Sequence, residues 1–187
     1  TEVGSSIKPL SVYGPALDLG LSPASAVVNI PDPIVGWDTE TGYPAIGSEK
    51  YEGIITLRRG VVSSLNVAAA RTLLEDVSMQ TGADYLARLG VDPSRIKTTG
   101  SGLALGAMGI TPIEMAGAYA AIANEGKYIK PVSFSRVVDQ NGKVILDSSK
   151  LRTEQQVFKP TTAYMLVDIL HEAVESGTGT AAKIKGM

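Results

Sequence analysis

Residues 103–126 read LALGAMGITPIEMAGAYAAIANEG and contain the clearest local signal in the chain. Thr111, Pro112 and Glu114 have the spacing of a capping box, in which the threonine and the glutamate each satisfy an N–H group at the start of a helix. We therefore predict a helix that begins at Pro112 and runs to about Asn124. The box stabilises a helix end and carries no chemistry of its own.

The same stretch belongs to the longest run of the chain that is poor in charge, residues 101–123. Pro112 and Glu114 interrupt this run, and alanine and glycine dominate it, whereas a membrane span needs about 20 strongly apolar residues. We expect buried core here. The sequence shows neither a convincing spanning segment nor a signal peptide.

Composition narrows the possible functions. The chain has 187 residues, of which 44% are hydrophobic and 19% charged, as in one globular domain or a large piece of one. A formal net charge of −2 gives no basic footprint, so we expect no nucleic-acid partner. The chain lacks cysteine, which rules out disulfides and thiol catalysis, and no residue set has metal-ligand spacing. We expect neither a metal ion nor a cofactor.

The flanking segments predict an α/β domain that is rich in helices. Residues 130–149 place two β-rich runs about Asn141 and Gly142, which is typical of a β-hairpin. A helix is expected from near Thr161 to Gly177. Residues 29–53 have the composition of a long loop, and from Ile54 onwards the pattern is helical, as in the run 66–82.

The N-terminal segment combines a serine and a lysine on a predicted helix. Apolar residues recur with helical spacing from Ser6 to about Leu19, so Ser5 would begin the helix as its cap, and Lys8 would lie one turn further on. A serine hydroxyl attacks an acyl group only with a base within hydrogen-bonding reach. Lysine is such a base only when neutral, and lowering its pKa from about 10.4 towards about 7 costs about 4 to 5 kcal/mol.

Other polar residues fall into two groups. Ser64 and Asn66 lie in a short polar turn, two positions apart, and can supply a proton relay and a carboxamide to the same site. A second serine–lysine pair, Ser94 and Lys97, lies in a polar stretch and is expected to be solvated. The single histidine, His171, is expected on a solvated helix face. Trp37 is expected to be a core or lid aromatic rather than a substrate contact.

Two glycine patterns are interpreted as structural. Residues 100–106 come close to a dinucleotide-binding fingerprint but have the wrong spacing, and SGTGT at 176–180 lacks the lysine of a phosphate-binding loop. We interpret both as turns or close-packing glycines.

Four segments in order resemble the transpeptidase domain of class A, bifunctional penicillin-binding proteins. They are GSSIKP at 4–9, YEGIITLRRGVVSSLN at 51–66, residues 100–131 around the capping box, and AVESGTGTAA at 173–182. The resemblance implies the penicillin-recognising serine transpeptidase fold, which is β-lactamase-like. It covers nearly the whole chain.

The resemblance also implies an activity and residue roles. Ser5 resembles the nucleophile that accepts the acyl group of a peptidoglycan stem peptide ending in D-Ala-D-Ala, and Lys8 resembles its general base. Ser64 resembles the relay of a proton to the leaving amine, and Asn66 the side chain that orients Lys8 and the substrate amide. β-Lactam antibiotics would acylate Ser5 as substrate mimics.

One departure concerns the family's third motif, K-T-G, which the chain lacks. We therefore expect residues 1–187 to be a single partial transpeptidase domain that ends just before this motif, with an incomplete central sheet. The remainder of the polypeptide would be needed to complete the site, and the isolated chain is expected to be inactive. A glycosyltransferase domain and a membrane anchor are expected upstream, at the outer face of the bacterial cytoplasmic membrane.

Two alternatives remain open from the sequence. A D,D-carboxypeptidase or β-lactamase uses the same residues and passes the acyl group to water. A non-catalytic domain of this fold would bind β-lactams or muropeptides as a sensor. The intact pair of Ser5 and Lys8 favours an enzyme.

Overall fold

A computed structural model describes residues 2–37, 39–45, 50–150 and 152–184. Within these ranges, the α-helices are α1 Gly14–Asp18, α2 Leu57–Val62, α3 Asn66–Arg71, α4 Met79–Arg88, α5 Gly100–Leu105, α6 Pro112–Ala123 and α7 Pro160–Ser176. The strands are β1 Ala26–Asn29, β2 Gly53–Thr56, β3 Lys127–Ile129, β4 Arg136–Val138, β5 Val144–Asp147 and β6 Glu154–Gln156. The expected helix-rich α/β character is confirmed.

The described strands form three two-stranded antiparallel sheets. β1 pairs with β2, β3 with β6, and β4 with β5. The last pair is the hairpin predicted around Asn141 and Gly142. Gly142 has a φ of +79°, a left-handed conformation that glycine adopts without a steric penalty.

The first helical segment differs from the uniform helix predicted from Ser6. A 3-10 turn at Gly4–Ile7 leads into a π-helical turn at Pro9–Tyr13, which continues directly into α1. Pro9 lacks an N–H group, which a regular helix would use at this position. Val3 precedes the first turn with no side-chain cap, so the predicted capping role of Ser5 is wrong.

The apolar face of this segment is nevertheless confirmed. The side chains of Ile7, Leu10 and Tyr13 are fully buried, and Leu17 is only 3% exposed. They pack into the main hydrophobic core together with residues from α2 to α7. The segment therefore runs through the centre of the domain.

The helical prediction from Ile54 is wrong for the first three residues. Ile54, Ile55 and Thr56 belong to β2, consistent with their β-branched side chains. Thr56 then caps α2, because its hydroxyl accepts a hydrogen bond of 3.2 Å from the N–H group of Arg59.

The helix predicted across residues 66–82 is interrupted. α3 changes to a π-helical turn at Thr72–Val77, and Ser78 ends it with a φ of +81°. Ser78 then caps α4 through a hydrogen bond from the N–H group of Thr81 to its hydroxyl. Propensity alone gave no indication of this break.

The predictions for α6 and α7 are confirmed. Thr111 accepts a hydrogen bond from the N–H group of Glu114, and Glu114 accepts one of 2.8 Å from the N–H group of Thr111, which completes the capping box. α7 ends at Ser176, one residue before the predicted Gly177. Among the described residues, no helix combines the length and apolar character needed to cross a membrane.

Candidate active site

A cavity of about 200 Å³ brings together three of the four predicted site residues. Ser5 and Lys8 line it from the N-terminal helical segment, and Ser64 lines it from the turn between α2 and α3. Asn66 lies at the start of α3, and its side chain joins these residues by accepting a hydrogen bond from Lys8. Residues that are far apart in the sequence thus converge on one cavity.

Lys8 is the buried centre of this cluster. Its side chain is only 2% exposed, and its Nζ donates hydrogen bonds of 2.6 Å to the carbonyl O of Ser64 and 2.7 Å to Oδ1 of Asn66. A longer contact of 3.3 Å joins Nζ to the hydroxyl of Ser64. Burial disfavours the charged ammonium. A neutral amine can use its two N–H groups on the two closer acceptors and keep its lone pair for a hydroxyl proton.

Asn66 is fixed in orientation by contacts at both ends of its amide. Its Oδ1 accepts from Lys8, and its Nδ2 donates a hydrogen bond of 3.2 Å to the carbonyl O of Ala45. The donor end can only be Nδ2 in this arrangement, which sets the oxygen towards the lysine. The side chain therefore connects the long loop to the buried amine.

The turn between α2 and α3 presents Ser64 to the cavity. Ser64 has a φ of +54°, an unusual conformation for a residue with a side chain. Its N–H group donates to the carbonyl O of Val61, and that of Leu65 donates to Gly60. This compact turn aims both the carbonyl and the hydroxyl of Ser64 at Lys8.

Ser5 lies on the exposed side of the same cavity. It belongs to the 3-10 turn that leads to Lys8, and the N–H group of Lys8 donates to its carbonyl. An exposed serine and a buried lysine that line one cavity have the setting that an attacking hydroxyl and its base require. Ser6, the next residue, is exposed as well, but its hydroxyl donates to the carbonyl O of Val3 at 2.7 Å.

The segment between α5 and α6 supports the backbone just before Ser5. The N–H group of Val3 donates to the carbonyl O of Met108, and that of Gly4 donates to the carbonyl O of Gly106, both at 3.2 Å. Gly106 has a φ of +73°, and a Cβ there would lie 2.1 Å from the carbonyl O of Gly4. Only glycine permits this close approach of the two backbones.

The cavity has further lining residues that the sequence did not mark as site residues. Tyr13, Tyr119, Leu170 and Thr178 line it together with the predicted residues. Tyr119 was placed in a stretch interpreted as core, and Thr178 in SGTGT, which was interpreted as a turn. The interpretation of close packing in SGTGT is supported, because a Cβ on Gly177 would lie 2.3 Å from the carbonyl O of Val62.

An ion-pair group holds α7, which supplies Leu170, beside α2. Arg58 of α2 donates a hydrogen bond of 2.8 Å to Oε2 of Glu172 and also pairs with Asp168. These contacts join two walls of the cavity. Both carboxylates are partly exposed, so we attribute to them a role in alignment and only a small contribution to stability.

The other polar candidates lie elsewhere, as predicted. Ser94 and Lys97 are exposed, and the hydroxyl of Ser94 donates to Asp92. His171 is exposed on α7. Trp37 is 8% exposed, and its ring would clash with a Cβ on Gly100, so it is a core aromatic. Among the described residues, no cluster of histidine, cysteine, aspartate or glutamate could hold a metal ion.

Comparison with known proteins agrees with this geometry. The family model described as the penicillin binding protein transpeptidase domain matches residues 1–187. Penicillin-binding protein 1A of Clostridium tetani is 35% identical to this chain, over 94% of the chain and 24% of that relative. Penicillin-binding protein 1F of Bacillus subtilis is 32% identical, over 98% of the chain and 24% of that relative. The chain therefore spans about a quarter of the length of these relatives.

A solved structure shows the same fold. Penicillin-binding protein 1A from Haemophilus influenzae superimposes with a TM-score of 0.81 at 25% sequence identity. The match covers 97% of this chain and 32% of that one. The expected penicillin-recognising fold is thus confirmed for nearly the whole chain.

Proposed function

The chain belongs to the transpeptidase domains of class A penicillin-binding proteins, and from this membership we propose that it is the acyl-transferring part of a D,D-transpeptidase that crosslinks peptidoglycan stem peptides. The observation that carries the proposal is the environment of Lys8. A lysine that is 2% exposed, held by Ser64 and Asn66 in a cavity shared with Ser5, is suited to act as a base.

In the first half of the reaction, Ser5 accepts the acyl group. Its hydroxyl oxygen attacks the carbonyl carbon of the penultimate D-alanine, and Lys8 takes the hydroxyl proton. The tetrahedral intermediate then breaks its C–N bond. Terminal D-alanine leaves as an amine after receiving a proton through Ser64, which lies 3.3 Å from Nζ of Lys8.

In the second half, an amine of a neighbouring stem peptide attacks the ester carbonyl on Ser5. The amine loses a proton to the base, the ester C–O bond breaks, and Ser5 regains its proton. Asn66 keeps Nζ of Lys8 in place in both halves, because its amide is anchored at the other end by Ala45.

The β-lactam response and the cellular setting follow from the same proposal. A β-lactam amide would acylate Ser5 by the first half of the reaction, and the amine released by ring opening would stay attached to the acyl group instead of leaving as free D-alanine does. A glycosyltransferase domain and a membrane anchor would precede this chain in a longer protein. The domain would then act on the outer face of the bacterial cytoplasmic membrane.

The test uses the intact protein and two matched variants. Ser5→Ala removes the proposed nucleophile, and Ser94→Ala removes the serine of the solvated pair. We expect a fluorescent penicillin to label the wild type and Ser94→Ala equally, with the adduct mapped to Ser5 by mass spectrometry, and Ser5→Ala to remain unlabelled. An adduct on another residue would contradict the proposal.

A second assay separates the proposed activity from the alternatives. Stem peptides ending in D-Ala-D-Ala are supplied with and without an amine acceptor, and the products are counted. Crosslinked product that depends on Ser5 supports a transpeptidase, whereas hydrolysis alone indicates a carboxypeptidase. Rapid hydrolysis of the penicillin adduct indicates a β-lactamase. Binding of muropeptide without any turnover indicates a sensor.

A further inference from the structure

A tyrosine that the proposed mechanism does not use contacts the backbone next to Ser5. Tyr119 lies in the second half of α6, and its hydroxyl donates a hydrogen bond of 2.8 Å to the carbonyl O of Ser6. The same side chain lines the cavity that contains Ser5 and Lys8. This contact joins residues 113 positions apart.

The carbonyl of Ser6 lacks the donor that its own 3-10 turn would supply. In a 3-10 turn, each carbonyl accepts from the N–H group three residues later. For Ser6 that residue is Pro9, which has no N–H group. The hydroxyl of Tyr119 supplies a donor to this carbonyl.

Tyr119 completes a support that surrounds Ser5. Before Ser5, the N–H groups of Val3 and Gly4 donate to the segment that leads into α6. After Ser5, the carbonyl of Ser6 accepts from α6 itself. One continuous stretch, residues 106–119, therefore holds the backbone on both sides of the proposed nucleophile.

We propose that Tyr119 is a positioning residue for Ser5, and that its hydroxyl fixes the peptide that follows Ser5 so that the serine hydroxyl points at the acyl carbonyl. The inference rests on the proposed function. Burial raises the pKa of Tyr119 to about 12, so its hydroxyl keeps its proton at any pH at which a cell-wall enzyme works. Tyr119 acts as a constant donor and takes no part in proton transfer.

The test replaces only the hydroxyl, with Tyr119→Phe in the intact protein and Tyr164→Phe as the matched control. Tyr164 lies on α7 with its side chain 74% exposed. Stopped-flow fluorescence with a fluorescent penicillin gives the non-covalent dissociation constant, the acylation rate constant and the fraction of protein acylated. We expect the rate constant of Tyr119→Phe to fall about tenfold, the effect of one hydrogen bond on an equilibrium.

The dissociation constant, the acylated fraction and the pH profile separate positioning from a structural role. We expect the dissociation constant, the acylated fraction and the shape of the rate profile between about pH 6 and 9 to match those of the wild type and of Tyr164→Phe. A merely structural role would lower the acylated fraction and leave the rate constant of the folded protein unchanged. A ligand contact would weaken the dissociation constant, and a proton-transfer role would change the shape of the pH profile. Each of these results would overturn the inference.

Failure of the inference is distinguishable from failure of the proposed function. If the wild type is acylated at Ser5 and Tyr119→Phe reacts at the same rate, only the role of Tyr119 is wrong. If the wild type forms no adduct at Ser5, the proposed function is wrong and the role of Tyr119 is wrong with it.

Discussion

Nζ of Lys8 lies 2.7 Å from Oδ1 of Asn66, although the two residues are 58 positions apart in the sequence. Lys8 belongs to the serine–lysine motif and Asn66 to the serine–asparagine motif, and this hydrogen bond joins them. A neutral amide oxygen can hold the amine in place without favouring its charged form as strongly as a carboxylate would. The identity of residue 66 therefore bears on whether Lys8 can act as a base.

Asn66→Asp tests this point directly. A carboxylate at 66 stabilises the ammonium form of Lys8, so we expect acylation by penicillin to slow by about tenfold or more at pH 7 and to recover at higher pH. The measurement is the acylation rate constant of the intact protein from pH 6 to pH 10. Asn141→Asp in the exposed hairpin turn is the matched control and should follow the wild type. Equal profiles for all three proteins would show that residue 66 does not influence the base.

Gly106→Ala tests the support beneath Gly4. A methyl group there would lie 2.1 Å from the carbonyl O of Gly4, and the residue also has a φ of +73°. Gly142→Ala is the control, since its φ of +79° imposes the same backbone strain but no atom lies within 4 Å of the new methyl group. We expect the control to lose about 1 kcal/mol of unfolding free energy and Gly106→Ala about 3 kcal/mol.

Gly106→Ala and Gly142→Ala should also differ in the rate constant of acylation by penicillin. Gly106→Ala displaces the backbone before Ser5, so its rate constant should fall, whereas that of Gly142→Ala should stay at the wild-type value. Denaturant unfolding and stopped-flow acylation check the two parts separately. If both variants lose equal stability and react equally, close approach of the two backbones does not matter.

The carboxyl group of Asp18 leads to a prediction of how the stability of the protein depends on pH. Burial alone would raise the pKa of its carboxyl group, but hydrogen bonds from the N–H group of Lys159 and from the hydroxyls of Tyr85 and Thr162 outweigh burial and lower it from the ordinary value of 3.8. A lowered pKa in the folded state stabilises the protein above the ordinary value, and the stabilisation disappears as the pH falls through the lowered one.

Asp18→Asn removes the charge from this group of hydrogen bonds. We expect the variant to lose about 2 kcal/mol of unfolding free energy at pH 7, and the difference from the wild type to shrink below about pH 4. Asp84→Asn, on the neighbouring helix α4, is the control. Urea unfolding at several pH values measures both. A difference that stays constant down to pH 2 would mean that the charge of Asp18 is not involved.

Features specified by neighbouring residues could be predicted from the sequence. The capping box of Thr111 and Glu114 satisfies its own N–H groups within one turn. The hairpin turn is likewise local, because Gly142 adopts the left-handed φ and the carboxylate of Asp139 accepts from nearby N–H groups. The buried face from Ile7 to Leu17 follows from helical spacing. In these cases the determining contacts lie within a few positions of each other.

Features that depend on distant contacts could not be predicted. The strand at Gly53–Thr56 pairs with β1, and this distant pairing decides between strand and helix for residues 54–56, whose β-branched side chains give only a weak local preference. The 3-10 turn that precedes Pro9 has its Ser6 carbonyl contacted by the hydroxyl of Tyr119, which lies 113 positions away. Tyr119 looked like one more core residue, since nothing in its own neighbourhood points to Ser5.

The roles of Ser5, Lys8, Ser64 and Asn66 came from the resemblance and remain predictions. The structure adds that Ser64 and Asn66 both contact Lys8. Their spacing in the sequence is compatible with a shared site but does not show which residue they contact. The burial of Lys8 likewise depends on the packing of the whole domain.

The central claim is that Lys8 takes the proton of Ser5, and the most direct test is the acylation rate of Lys8→Ala against that of Lys97→Ala, the lysine of the solvated pair. Both variants are made in the intact protein, and correct folding is checked by thermal unfolding. We predict that Lys8→Ala reacts with penicillin about 10²- to 10⁴-fold more slowly, the usual contribution of a general base, while Lys97→Ala reacts like the wild type. A folded Lys8→Ala protein that acylates Ser5 at the wild-type rate would contradict the account.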